Sequence, residues 1–61
     1  RNMDKQTASL IGSLLLGRPW GWPDNWEEPR DEIHVAVMVL SSPEGRNRIM
    51  SFLDYLTTFY H

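Results

Sequence analysis

Ile33-His34-Val35-Ala36-Val37-Met38-Val39-Leu40 is the stretch whose reading decides the fold. It is the only β-branched, almost uncharged run in a chain of 61 residues. Read as a strand, it places Ile33, Val35, Val37 and Val39 on one face and His34, Ala36, Met38 and Leu40 on the other. Both faces are apolar, so such a strand is buried on two sides. Read as a helix, the run is apolar all round, which is no easier to bury. Four β-branched residues in eight favour the strand, and a strand is the expectation. Alone, it would leave a full ladder of backbone N–H and C=O groups unpaired. Pairing with its own copy across a two-fold axis satisfies that ladder, which makes Ile33, Val35, Val37 and Val39 the expected dimer interface. His34, at the polar end of the run, is expected as a partly exposed strand residue rather than a ligand or base.

Downstream, Ser41-Ser42-Pro43-Glu44-Gly45 marks a helix start. Ser42 as N-cap puts Pro43 at the first helical position, where its missing N–H costs nothing. Ser41 as N-cap would instead form a capping box with Glu44. The helix is expected to run to about Phe59, with Ile49, Phe52, Leu53, Leu56, Phe59 and Tyr60 as an apolar stripe. Met50 and Tyr55 lie off it and widen the apolar surface. Glu44 and Arg48 are ordered for an i, i+4 pair. Arg46 and Arg48 occupy the first turns, where the helix dipole disfavours cations, a hint of an anionic partner.

Upstream, Glu27-Glu28-Pro29-Arg30-Asp31-Glu32 has four carboxylates in six residues but neither a calcium-loop glycine nor a His-Glu-x-x-His pattern. It reads as a solvated acidic turn. Before it, residues 17–29 carry three prolines and two glycines, which forbid a continuous helix or central strand. All three tryptophans, Trp20, Trp22 and Trp26, sit in this loop. A loop so rich in indoles either folds back on the core or presents a binding surface. Residues 3–16 read as a helix capped by Asn2 or Asp4 and closed by Gly17. Leu10, Ile11, Leu14 and Leu15 form one face of an ordinary core helix. Ala8, Ser9, Gly12 and Ser13 make a second, small-residue face that allows close approach. Arg1-Asn2, ahead of Met3, is expected to be a remnant before a native start.

Composition narrows the function. One domain, residues 3–61, is the ceiling for this length. The chain is 41% apolar, too little for the burial of one small core to offset the ordering of its own backbone. Small domains answer this with disulfides, metals or association. There are no cysteines and two histidines, so thiolate metal sites are excluded, no cofactor or metal is expected, and a homo-oligomer or a docked partner is. A net charge of −2 gives no long-range attraction to nucleic acid or anionic membrane. The uncharged run from Thr7 to Gly17 is too short to span a bilayer. A soluble, cytoplasmic protein is expected.

The segment from Ile33 to Leu56, an apolar strand entering a Ser-Pro-Glu-Gly helix start and a leucine-bearing helix, locally resembles the last part of the phosphotransferase-system IIA domain. That family's phosphorylated histidine belongs to an upstream segment that this chain does not contain, and His34 does not match it. No activity carries over.

The expected fold is therefore α+β: helix, Trp/Pro-rich loop, single strand, helix, with the strand paired across a homodimer. The alternative is three helices with residues 29–41 as the middle one. The expected function is that of a small non-enzymatic interaction protein (an inhibitor, adaptor or regulatory subunit) with a protein partner. Its partner-binding residues would be Trp20, Trp22, Trp26, Arg46, Arg48 and Tyr55. A single-stranded nucleic-acid binder using the indoles as stacking platforms with Arg18, Arg30, Arg46 and Arg48 on phosphates is the first alternative. An excised domain of a larger assembly is the second. An enzyme is not expected, because no nucleophile, base and orienting group fall at workable spacing.

Overall fold

The carboxylate of Asp31 accepts the backbone N–H of His34 at 2.8 Å, with Asp31 itself in extended conformation. This is an N-cap, and it commits the deciding stretch to a helix. The computed structural model describes residues 2–60, so Arg1 of the expected Arg1-Asn2 remnant lies outside the described residues. It contains three helices: α1 (Lys5–Leu16), α2 (Glu32–Leu40) and α3 (Pro43–Tyr60). No strand occurs among the described residues, which overturns the α+β expectation.

The physical reason lies in the backbone. Among the described residues, a strand from Ile33 to Leu40 would have no second strand to pair with. A helix satisfies the same N–H and C=O groups internally, and that gain exceeds the weak β preference of four branched side chains. Residues two apart stand on opposite sides of a helix rather than on one face. The expected interface set is therefore split. Val35 and Val39 are buried at 0% and 1% exposure, whereas Ile33 and Val37 are 74% and 57% exposed. With neither a ladder nor a shared face, the strand-paired dimer through Ile33, Val35, Val37 and Val39 falls. The three-helix alternative is the arrangement found. Its middle helix is shorter than residues 29–41, because it begins only after the Asp31 cap and closes at Ser41.

Helix α1 starts at Asp4, whose carboxylate accepts the Thr7 N–H at 2.7 Å. It ends at Gly17, which takes a left-handed conformation (φ 72°) and donates its N–H to Ser13 O. Its buried residues are Ala8, Gly12 and Leu16, while Leu10 and Leu14 point to solvent. The core face is thus centred on Ala8, Gly12 and Leu16, and of the four apolar residues expected from spacing Ile11 and Leu15 pack at its edge while Leu10 and Leu14 do not.

The Trp loop explains this choice of face. The Trp22 N–H donates to Ser9 Oγ at 2.8 Å, and the Trp20 N–H to Ser13 Oγ at 2.9 Å. Two serine hydroxyls one turn apart therefore hold the loop backbone against α1, and the indole of Trp20 lies over Gly12. Trp22 donates its Nε1–H to Glu27 O at 3.0 Å. At the far end of the loop, the Met3 N–H donates to Pro29 O at 3.0 Å. The core is Ala8, Leu16, Trp22, Val35 and Val39, with Ile11, Leu15, Trp20, Trp26 and Met38 packed around it.

Helix α3 begins at Ser42-Pro43, where Ser42 Oγ accepts the Gly45 N–H at 3.0 Å. Gly45 lies directly on the backbone of Val39 and Leu40, leaving no room for a Cβ. It is the buried residue of α3; every residue from Arg46 to Tyr60 is exposed except the half-buried Leu56. An 18-residue helix is about 27 Å long, and it extends the molecule to 42 Å against 19 and 15 Å in the other directions. None of the described helices is long and apolar enough to cross a membrane.

Candidate functional site

Placement of the expected partner-binding residues divides them into two groups. The tryptophans form a mutual cluster. Trp22 lies edge-on to Trp26 with ring centres 5.2 Å apart, and Trp20 sits 6.1 Å from each. Such edge-to-face contacts are favoured by the ring quadrupoles. Trp22 is 5% exposed and belongs to the core, with Trp20 and Trp26 half-buried beside it. The indoles pack on one another, Trp20 lies over Gly12 of α1, and Trp20 and Trp26 pack against the core that Trp22 belongs to. Arg46, Arg48 and Tyr55, by contrast, are exposed on α3.

His34 is buried, not partly exposed as the strand reading expects. Its Nδ1 accepts the Arg30 N–H at 3.0 Å, and its ring stands edge-on to Trp22 at 5.5 Å. With Nδ1 as acceptor, the neutral ring carries its proton on Nε2. Among the described residues that atom has no hydrogen-bond partner, and the Glu27 carboxylate comes to 3.6 Å from it through Oε1. The histidine therefore ties the acidic turn to the core. No hydroxyl group among the described residues shares a hydrogen bond with it.

The acidic turn has structural tasks as well. Asp31 caps α2, and Glu28 lies 3.7 Å from Lys5 Nζ, which Asp24 approaches to 3.8 Å. No three acidic or histidine side chains among the described residues come together as a metal site.

At the root of α3 a charge is paired with the loop that follows α1. Arg18 donates from Nε and Nη2 to the two carboxylate oxygens of Glu44, in place of the expected Glu44–Arg48 pair. That guanidinium holds the Glu44 carboxyl below the usual carboxylate range. The Arg48 guanidinium packs against Gly17 at the C-terminus of α1, where the helix dipole favours a cation. Arg48 is thus engaged within the fold.

Beyond this root, α3 carries a continuous uncovered apolar surface. Phe52, Leu53, Phe59 and Tyr60 are 49% to 76% exposed, and Ile49 is 37% exposed. Tyr55 stacks on Phe59 at 6.3 Å, and Phe59 meets Tyr60 edge-on at 5.1 Å. At its inner end the surface opens into a groove lined by Leu15 of α1 with Arg48, Ile49, Ser51 and Phe52 of α3. Helical spacing identifies this stripe from the sequence. What spacing could not reveal is that the body of the protein stops short of it. No family model matches the chain, and no curated protein or solved structure matches it either.

Proposed function

We propose that this chain is a small non-enzymatic protein–protein interaction protein, an inhibitor, adaptor or regulatory subunit, that engages its partner along the outer half of α3. One observation carries the reading: from Arg46 to Tyr60 no residue is buried, yet the helix bears Ile49, Phe52, Leu53, Leu56, Phe59 and Tyr60 on one side. Contiguous apolar surface of this kind marks interaction sites in soluble proteins. Phe52, Phe59 and Tyr60 are of the aromatic types enriched at protein interfaces. Of the residues first singled out, Tyr55 and Arg46 flank this surface, and the tryptophans support it from within by holding the body together. A cytoplasmic setting accords with a cysteine-free chain that needs no oxidising compartment to fold.

A protein partner is favoured over single-stranded nucleic acid because stacking platforms need free ring faces. Here the indoles pack on each other, and Arg18 is held by Glu44.

Photo-crosslinking in the native cells tests the reading. A photoreactive residue at Phe59 should give protein adducts, and one at Thr58, on the opposite side of the helix, should give few. Equal yields at the two positions, or none at either, would overturn it.

A further inference from the structure

We propose that the occupant of the α3 stripe is a second copy of this chain, its α3 packed antiparallel to the first about a two-fold axis that crosses the seam midway between Phe52 and Leu56. This rests on the reading of α3 as the working surface and names what covers it.

The spacing of the apolar residues points to a helix as the occupant. Gly45, Ile49, Phe52, Leu56 and Phe59 recur at alternating steps of four and three. That is the 3.5-residue period of a coiled-coil seam, which keeps facing a second helix rather than drifting round the first. The seam begins at Gly45, buried against α2, and continues without a break into the part of α3 that leaves the body. Antiparallel pairing also makes the seam self-complementary. Ile49 meets Phe59 of the second copy, Phe52 meets Leu56, and both pairs repeat by symmetry, as an isologous interface requires.

Charge sets the direction. Between Ile49 and Tyr60 the only charged residue is Asp54, which falls on the side of the helix away from the seam. Arg46 and Arg48 flank the seam at its other end. A parallel pair would bring these arginines beside their own copies. An antiparallel pair instead brings Arg46 to the C-terminal end of the other α3, where the helix dipole is negative and Tyr60 offers a ring face.

Area sets the scale. Phe52, Phe59 and Tyr60 are 59%, 68% and 76% exposed. At ~150–250 Å² per aromatic side chain, two copies expose about 600–1,000 Å² in these residues alone. Ile49, Leu53 and Leu56 bring the exposed total to roughly 1,200 Å², so that complete burial would just reach the lower limit for a specific interface. The dimer is therefore weak and concentration-dependent.

Sedimentation of the full chain from about 1 to about 500 μM tests this, spanning the affinity range such an area supports. Wild type should pass from monomer to dimer. Leu56→Asp and Phe59→Asp should remain monomeric with unchanged helical circular dichroism, and Thr58→Asp should dimerise like wild type. Because the chain has no cysteine, single thiols report the register. A mixture of Phe52→Cys and Leu56→Cys should form the mixed disulfide at least several-fold faster than either variant couples with itself. A strict monomer at the highest concentration overturns the proposal, as does a dimer that crosslinks Phe52→Cys to itself. If a monomer still gives the Phe59-specific adduct with a different protein in cells, the second copy is ruled out while α3 remains the interaction surface. A monomer without such an adduct removes both.

Discussion

The indole of Trp20 fills the space that a side chain at Gly12 would occupy, so that a Cβ built there meets ring carbon Cζ3 at 2.7 Å. A loop residue and a helix residue eight positions apart thus define the inner wall of the core. Glycine in a helix costs about 1 kcal/mol relative to alanine, and this contact explains why the cost is carried.

Gly12→Ala should therefore destabilise, even though it improves helix propensity. Trp20 is not free to retreat, because its own N–H is bound to Ser13 Oγ one residue along α1. The overpacking cost of about 1–3 kcal/mol exceeds the propensity gain of about 1 kcal/mol. Urea unfolding followed by tryptophan fluorescence reads the balance. A stabilised Gly12→Ala would mean that the indole does not lie on α1.

Ser9→Ala isolates the next link. Ser9 Oγ accepts the Trp22 N–H while donating to Lys5 O. Its loss strands a backbone donor beside the core, at a cost of about 1–3 kcal/mol. Ser51→Ala, on exposed α3, should change stability by no more than about 0.5 kcal/mol. Equal effects at the two serines would remove the pinning role assigned to Ser9.

Two carboxyls predict the response to acid. The Thr7 N–H, then the Thr7 side chain, hold Asp4 below its ordinary range, and the Arg18 guanidinium does the same for Glu44. Groups with a lowered folded-state pKa stabilise fully above their unfolded pKa of about 4 and lose that contribution as pH falls through the folded value. The urea midpoint should hold steady above that point and decline below it. Asp4→Asn, which still caps, combined with Glu44→Gln should flatten the acid decline. Both sites are exposed, so the effect should also shrink in high salt.

Much of this architecture is legible in the sequence where local chemistry decides it. Asp4, Gly17 and the Ser42-Pro43 pair mark helix ends because capping is settled within one turn. The proline-rich loop is legible for the same reason. The identity of α2 is not, since Val35, Val37 and Val39 favour a strand that only a second strand could complete, whereas Asp31 three residues before His34 offers a cap that works alone. Nor is the orientation of α1 legible. Leu10 and Leu14 look like a core face until three indoles claim the side lined by Ala8, Ser9, Gly12 and Ser13. The α3 stripe can be read from its period, but its exposure depends on where the rest of the chain ends in space. Tryptophans are common at interfaces, and here Trp22 is part of the buried core.

The central claim is that the protein closes around Trp22 and leaves the outer half of α3 to be covered by association. Amide hydrogen exchange at low and high protein concentration tests it most directly. The amides of Trp22, Val35 and Val39 should exchange slowly at both concentrations, while those from Phe52 to Tyr60 should be fast when dilute and slow when concentrated. Exchange in Phe52–Tyr60 that ignores concentration, or fast exchange at Trp22, would contradict the account.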